Sequence, residues 1–128
     1  MTDREMLELA AKAAEWQLCG YSWIGENEGD DECEILESAF VKTNPEQELA
    51  TKWNPLTDDG DALRLAVELR IDVSHDEVGM KSFVYARTVF NDETHIGLSE
   101  IFDDESERLD RTRRAITRAA AQIGKEMK

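Results

Sequence analysis

Ser74, His75 and Asp76 bring together the residue types of a nucleophile, a general base and its orienting carboxylate. Their spacing defeats that chemistry, because successive side chains of an extended strand point to opposite faces and immediate neighbours cannot form a Ser to His to Asp relay. Cys19, Cys33, His75 and His95 carry the ligand types of a zinc site. None of them has the close-spaced partner that such sites use. Asp58, Asp59 and Asp61 form an acidic cluster, but the loop lacks the alternating ligands and terminal Glu of a calcium-binding loop. No P-loop, nucleophile elbow, HExxH or dinucleotide fingerprint appears, and nothing singles out a carboxylate pair for acid and base work. No catalytic residue, metal ligand or cofactor is therefore assigned, and the expectation is a protein that is not an enzyme.

The pattern that stands out is acidic. Glu26, Glu28, Asp30, Glu32 and Glu34 occupy alternate positions. In extended chain their carboxylates would line one side about every 6.6 Å, about twice the 3.4 Å axial rise per phosphate of one DNA strand. With Asp31 and Glu37 they are the candidate partner-binding residues, a surface imitating nucleic acid. The alternative is a solvated loop in which Gly25 and Gly29 break the row. From residue 20 to 61 there are 12 acids and 2 bases, a density whose self-repulsion opposes folding.

These residues must be positioned by local elements. Thr2 as cap with Glu5 behind it, then Leu7, Ala10, Ala14 and Leu18 at helical spacing, predict a helix over 3–17. Tyr21 and Trp23, then Ile35 to Val41, predict a hairpin with an acidic tip near residue 28. That register places Cys33 across from about residue 23 and Cys19 across from about residue 37, so the thiols are expected to be unbridged, and as free Cys mostly buried. Asn44-Pro45 and Asn54-Pro55 turn the chain around a short irregular or extended piece with Trp53. Asp58, Asp59 and Asp61 predict the start of a helix over 59–70, with Trp53 and Leu56 plugging the core beside it. Ile71 to Ser74, Phe83 to Phe90 and Thr94 to Ile101 read as strands, with Asn91-Asp92-Glu93 as a turn. Asp104 and Glu107 resemble a capping box opening a helix over 105–126. Leu109, Thr112, Ile116, Ala119, Ile123 and Met127 recur along one face of it, beside a stripe of Arg111, Arg114, Arg118 and Lys125.

The whole is an α+β domain, a small antiparallel sheet with three flanking helices ordered α, ββ, α, β, β, β, α, and its 128 residues suit one domain. The formal charge is -14, which repels a phosphate backbone and disfavours direct nucleic-acid binding. Residues 1–107 carry 27 acids against 8 bases, residues 108–128 only 2 against 7, so the last helix is a basic strut on an acidic body. No apolar run approaches a membrane span, and Met1 leads into a capped helix instead of a leader, so neither secretion nor membrane insertion is expected.

Three blocks carry a resemblance: Met1 to Ala14, Trp53-Asn54-Pro55-Leu56-Thr57-Asp58-Asp59-Gly60-Asp61-Ala62-Leu63-Arg64-Leu65-Ala66-Val67, and Thr112 to Gly124. Their order and spacing resemble a family of small, uncharacterised proteins encoded by tailed bacteriophages and prophages. The resemblance implies a phage accessory context in the host bacterial cytoplasm and supplies no catalytic residues. Joined to the acidic pattern, it leads to an inhibitor that binds the basic surface of a host nucleic-acid-binding protein or complex, of the anti-CRISPR type. The alternative is a phage structural or assembly protein self-associating, for instance as a homodimer, through its C-terminal helix. A small metal-dependent enzyme is a distant third.

Overall fold

A computed structural model describes residues 2–25, 34–90 and 94–127. Helix α1 (Asp3–Ala13) buries Met6, Leu7, Ala10 and Ala11, the face that its apolar spacing marks out, and the Thr2 hydroxyl caps it by accepting the Glu5 N–H. It stops four residues short of the expected end. Glu15 takes a left-handed conformation at φ 60, its N–H bonds the Lys12 carbonyl, and the Trp16 N–H bonds the Ala11 carbonyl, which closes the helix in a Schellman turn without glycine.

The strands β1 (Gln17–Gly25), β2 (Glu34–Lys42) and β3 (Thr51–Trp53) form one antiparallel sheet in that order. After α2 (Asp59–Leu69), strands β4 (Asp72–Val78), β5 (Lys81–Phe90) and β6 (Thr94–Phe102) form a second. The α+β class holds, with the strands divided between two three-stranded sheets instead of joined in one. The piece around Trp53 supplies a strand of its own, β4 runs four residues past Ser74, and the Asn91–Glu93 turn lies outside the described residues.

The hairpin register differs from the expected one. Tyr21 pairs with Ala39 and Trp23 with Leu36; the offset is already three residues where Gly25 pairs with Glu34, and two bulges that cancel each other vary it by one, Glu37 lying unpaired between the partners of Ser22 and Trp23 and Cys19 between Leu18 and Gly20. Cys19 is exposed, not buried, its thiol directed at the Gln17 carbonyl oxygen 3.7 Å away. A bulge re-aims its residue, which sequence alternation does not reveal. Cys33 lies outside the described residues.

Helix α3 (Arg108–Glu126) is the spine, packing on α1, α2, β5 and β6 through Ala115, Ile116, Ala119, Ala120 and Ile123. Its small residues let it approach α1 closely: a Cβ on Gly124 would collide with the Leu9 carbonyl oxygen. The expected capping box is corrected to a one-turn 3-10 segment, Glu105–Glu107. Asp104 there accepts the Ser106 N–H, while Glu107 makes no capping bond and pairs with Arg111.

Trp53 is 3% exposed and Leu56 is buried beside the start of α2, as expected from their block. Asn54 locks that turn. Its N–H donates to Asp61 Oδ2, its side-chain oxygen accepts the Leu56 N–H, and its side-chain amide donates to the Glu37 carbonyl. Burial raises the Asp61 carboxyl above its usual range, partly offset by the Asn54 N–H. The three aspartates face three different partners, with Asp58 capping α2 at the Asp61 N–H and Asp59 pairing with Arg113 at 2.6 Å. That arrangement fixes the helix start and leaves no common point for a cation.

Candidate functional site

In sequence the acidic pattern falls between β1 and β2. Glu26, Glu28, Asp30, Asp31 and Glu32 lie outside the described residues. Glu34 opens β2 opposite Gly25. Glu37 is the bulged residue of β2 and sits half-buried at the hairpin's foot, accepting bonds from Ser22 Oγ at 2.7 Å and Lys52 Nζ at 2.6 Å. These bonds, the lysine's first, hold its carboxyl below the usual range. Its charge is thereby engaged within the sheet, unlike the partner-binding role expected of it.

Beside this foot lies an arrangement that the acidic row does not announce. Tyr21 and Trp23 are two residues apart on β1, so both rings stand on the face toward α1, centroids 6.1 Å apart. The Tyr21 hydroxyl donates to Glu8 Oε1 at 2.9 Å, and Arg4 Nε donates to the same oxygen at 3.2 Å while its guanidinium lies 5.1 Å over the Tyr21 ring. Burial, and then the bond to the Glu8 carboxylate, push the Tyr21 hydroxyl up to about 12. Trp23 projects further and is 44% exposed. With Leu36 it borders an open concavity of about 730 Å³ whose other walls are Thr2, Asp3, Arg4, Glu5 and Glu8. The readable signal was the pair of aromatic residues at alternate positions next to an acidic run.

The basic stripe of α3 is turned against the body. Arg111, Arg114 and Arg118 converge on Glu100 of β6, at 3.9, 3.2 and 2.8 Å, around a carboxylate only 13% exposed. Arg114 also reaches Asp3 at 3.7 Å, and Arg113 joins Asp59 and the Leu56 carbonyl. Arg108 makes two 2.7 Å bonds to Glu105, lies over the Phe102 ring and donates to His75 Nδ1 at 2.9 Å. His75 is thus tied to an arginine, while Ser74 faces the Tyr85 carbonyl and Asp76 accepts the Glu77 N–H, so the three do not converge. Among the described residues no group of three or more His, Cys, Asp or Glu side chains is placed to hold a metal, and no helix is long and apolar enough to cross a membrane.

Comparisons with protein-family models, with curated protein sequences and with solved structures found no match.

Proposed function

We propose that this is a non-enzymatic phage accessory protein that acts in the host bacterial cytoplasm by binding and inhibiting a basic, nucleic-acid-binding host protein, in the manner of an anti-CRISPR inhibitor. The observation that carries the reading is the internal use of the α3 arginines. All five of them are paired with carboxylates of the same chain, so these arginines are turned inward, while Lys125 of the same helix is exposed. The chain's net charge is -14, and residues 20–61, which include the β1–β2 hairpin, carry 12 acids against 2 bases. Carboxylates at the hairpin would pair with Lys and Arg that otherwise hold phosphates, speeding encounter and occluding the nucleic-acid site. The phage context rests on the sequence resemblance.

The assembly reading draws less support, because Ile116, Ala119 and Ile123 of the apolar face of α3 are buried within the chain, although Leu109 at its start is exposed. A tagged pull-down from bacterial lysate at low and high salt tests the proposal. The expected result is a basic protein retained at low salt, released at high salt and displaced by its own DNA or RNA. A stable homo-oligomer with no such partner would replace inhibition by assembly.

A further inference from the structure

We infer that the concavity between α1 and the β1–β2 hairpin is the seat for an arginine side chain of the basic partner, with the exposed Trp23 ring as its stacking surface. The inference rests on the proposed acidic capture and says where a cationic segment is anchored.

The chemistry of such a seat is already present once within the chain. Arg4 places its guanidinium over Tyr21 while bonding the Glu8 carboxylate, so an aromatic ring and an acid on this face hold a guanidinium between them. Trp23 is the next ring along, on the same side of β1, and among the described residues no cation lies over it. Indole is the strongest of the aromatic faces for a cation. Of the concavity's three wall carboxylates, Asp3 also reaches Arg114 and Glu8 holds Arg4 and Tyr21 through Oε1, so among the described residues Glu5 and the second Glu8 oxygen are the acceptors left for a partner's cation. The acids of the first turn also suit the positive end of the α1 dipole, while Glu8, a turn further on, is fixed in place by Arg4 and Tyr21. Arginine fits better than lysine because its planar, weakly hydrated guanidinium stacks on a ring and bonds a carboxylate at its edge together. An aromatic anchor ringed by charge is also the usual composition of an interface hot spot.

The test titrates the full-length chain with an oligo-arginine and an oligo-lysine peptide of equal length at several salt concentrations. The wild type should bind the arginine peptide about fivefold more tightly, the size of one partly desolvated cation–π contact. The preference should shrink in Trp23→Phe, which keeps a weaker ring, and vanish in Trp23→Leu, with the salt slope retained. Equal affinity of the wild type for both peptides, or an undiminished preference in Trp23→Leu, would overturn the inference. Neutralising Glu26, Glu28, Asp30, Glu32 and Glu34 separates the two proposals. Steep salt dependence with no arginine preference leaves acidic capture standing and removes the seat. A Trp23-dependent preference whose salt slope ignores those acids keeps the seat and removes the tip.

Discussion

The Trp16 and Trp53 rings meet edge to face, centroids 5.7 Å apart and planes at 84°, and join the end of α1 to the turn that opens α2. Trp53 also pairs across the sheet with Ala39, whose small, fully buried side chain leaves it room. Trp53→Ala should therefore destabilise by about 3–5 kcal/mol, through lost burial and the cavity left beside Trp16. The indole N–H has no hydrogen-bond partner among the described residues, so Trp53→Phe should cost less, about 1 kcal/mol, by removing an unsatisfied donor along with the ring area. Urea unfolding of the two variants checks the order, and an Ala variant as stable as the wild type would contradict this packing.

Glu100 is the counterion of three arginines. Glu100→Gln keeps its size and removes its charge, leaving Arg111, Arg114 and Arg118 facing one another. Losing one partner of a fully buried pair costs about 3–5 kcal/mol; each of these arginines keeps about a third of its exposure, so about 2 kcal/mol is expected. Glu107→Gln, at a more exposed carboxylate, should change stability by no more than about 0.5 kcal/mol. Denaturant midpoints that fall equally for the two would refute the idea that Glu100 organises the cluster.

Tyr21 gives the fold a pH signature. Its hydroxyl is raised from 10.0 to about 12 in the native chain, chiefly by burial and then by the bond to Glu8, so the fold favours the neutral phenol. This contribution is complete below pH 10.0, the unfolded value, and is lost as the pH rises through about 12. A tyrosinate absorbance titration of the native protein should contain a phase near 12 that is absent in Tyr21→Phe and shifted downward in Glu8→Gln. A late phase that survives Tyr21→Phe would assign it elsewhere.

The starts of α1 and α2 were legible in the sequence and the end of α1 was not, for a physical reason. Thr2 and Asp58 are good caps and do cap their helices, whereas α1 closes on Glu15 at φ 60 and α2 on Arg70 at φ 53, where glycine is the usual signal. Left-handed backbone costs a residue with a Cβ about 1–2 kcal/mol, part of which glycine returns as unfolded-state entropy. Glu15→Gly should therefore stabilise by about 0.5–1 kcal/mol, read as a rise in thermal midpoint, and a lower midpoint would mean that the Glu15 side chain has a role of its own.

For the site, composition identified the acidic hairpin and the turn chemistry of Asn54-Pro55. It could not place Glu37, a candidate outside the alternating row, because that residue sits on a bulge that ties it to Ser22 and Lys52. Nor could it foresee the pairing of the α3 stripe with Glu100, a contact between residues more than ten apart that no local pattern encodes. Trp23 read as a strand aromatic; its exposure depends on how α1 packs beside β1, which no local pattern encodes.

The acidic tip itself is tested by charge without change of shape. Replacing Glu26, Glu28, Asp30, Glu32 and Glu34 by Gln or Asn takes the net charge from -14 to -9 and keeps side-chain size and hydrogen-bonding capacity. Folding should survive or improve, since self-repulsion falls. If these carboxylates stand in for phosphates, the loss should appear mainly as slower association with a basic partner and a shallower salt dependence. Each rim charge contributes modestly and the set contributes together. A solvated loop would give the same rates and salt slopes for both proteins. Association rates measured with the captured partner at several salt concentrations decide between the two, and identical slopes would move the binding face from the tip to the carboxylates around Asp58 and Asp103.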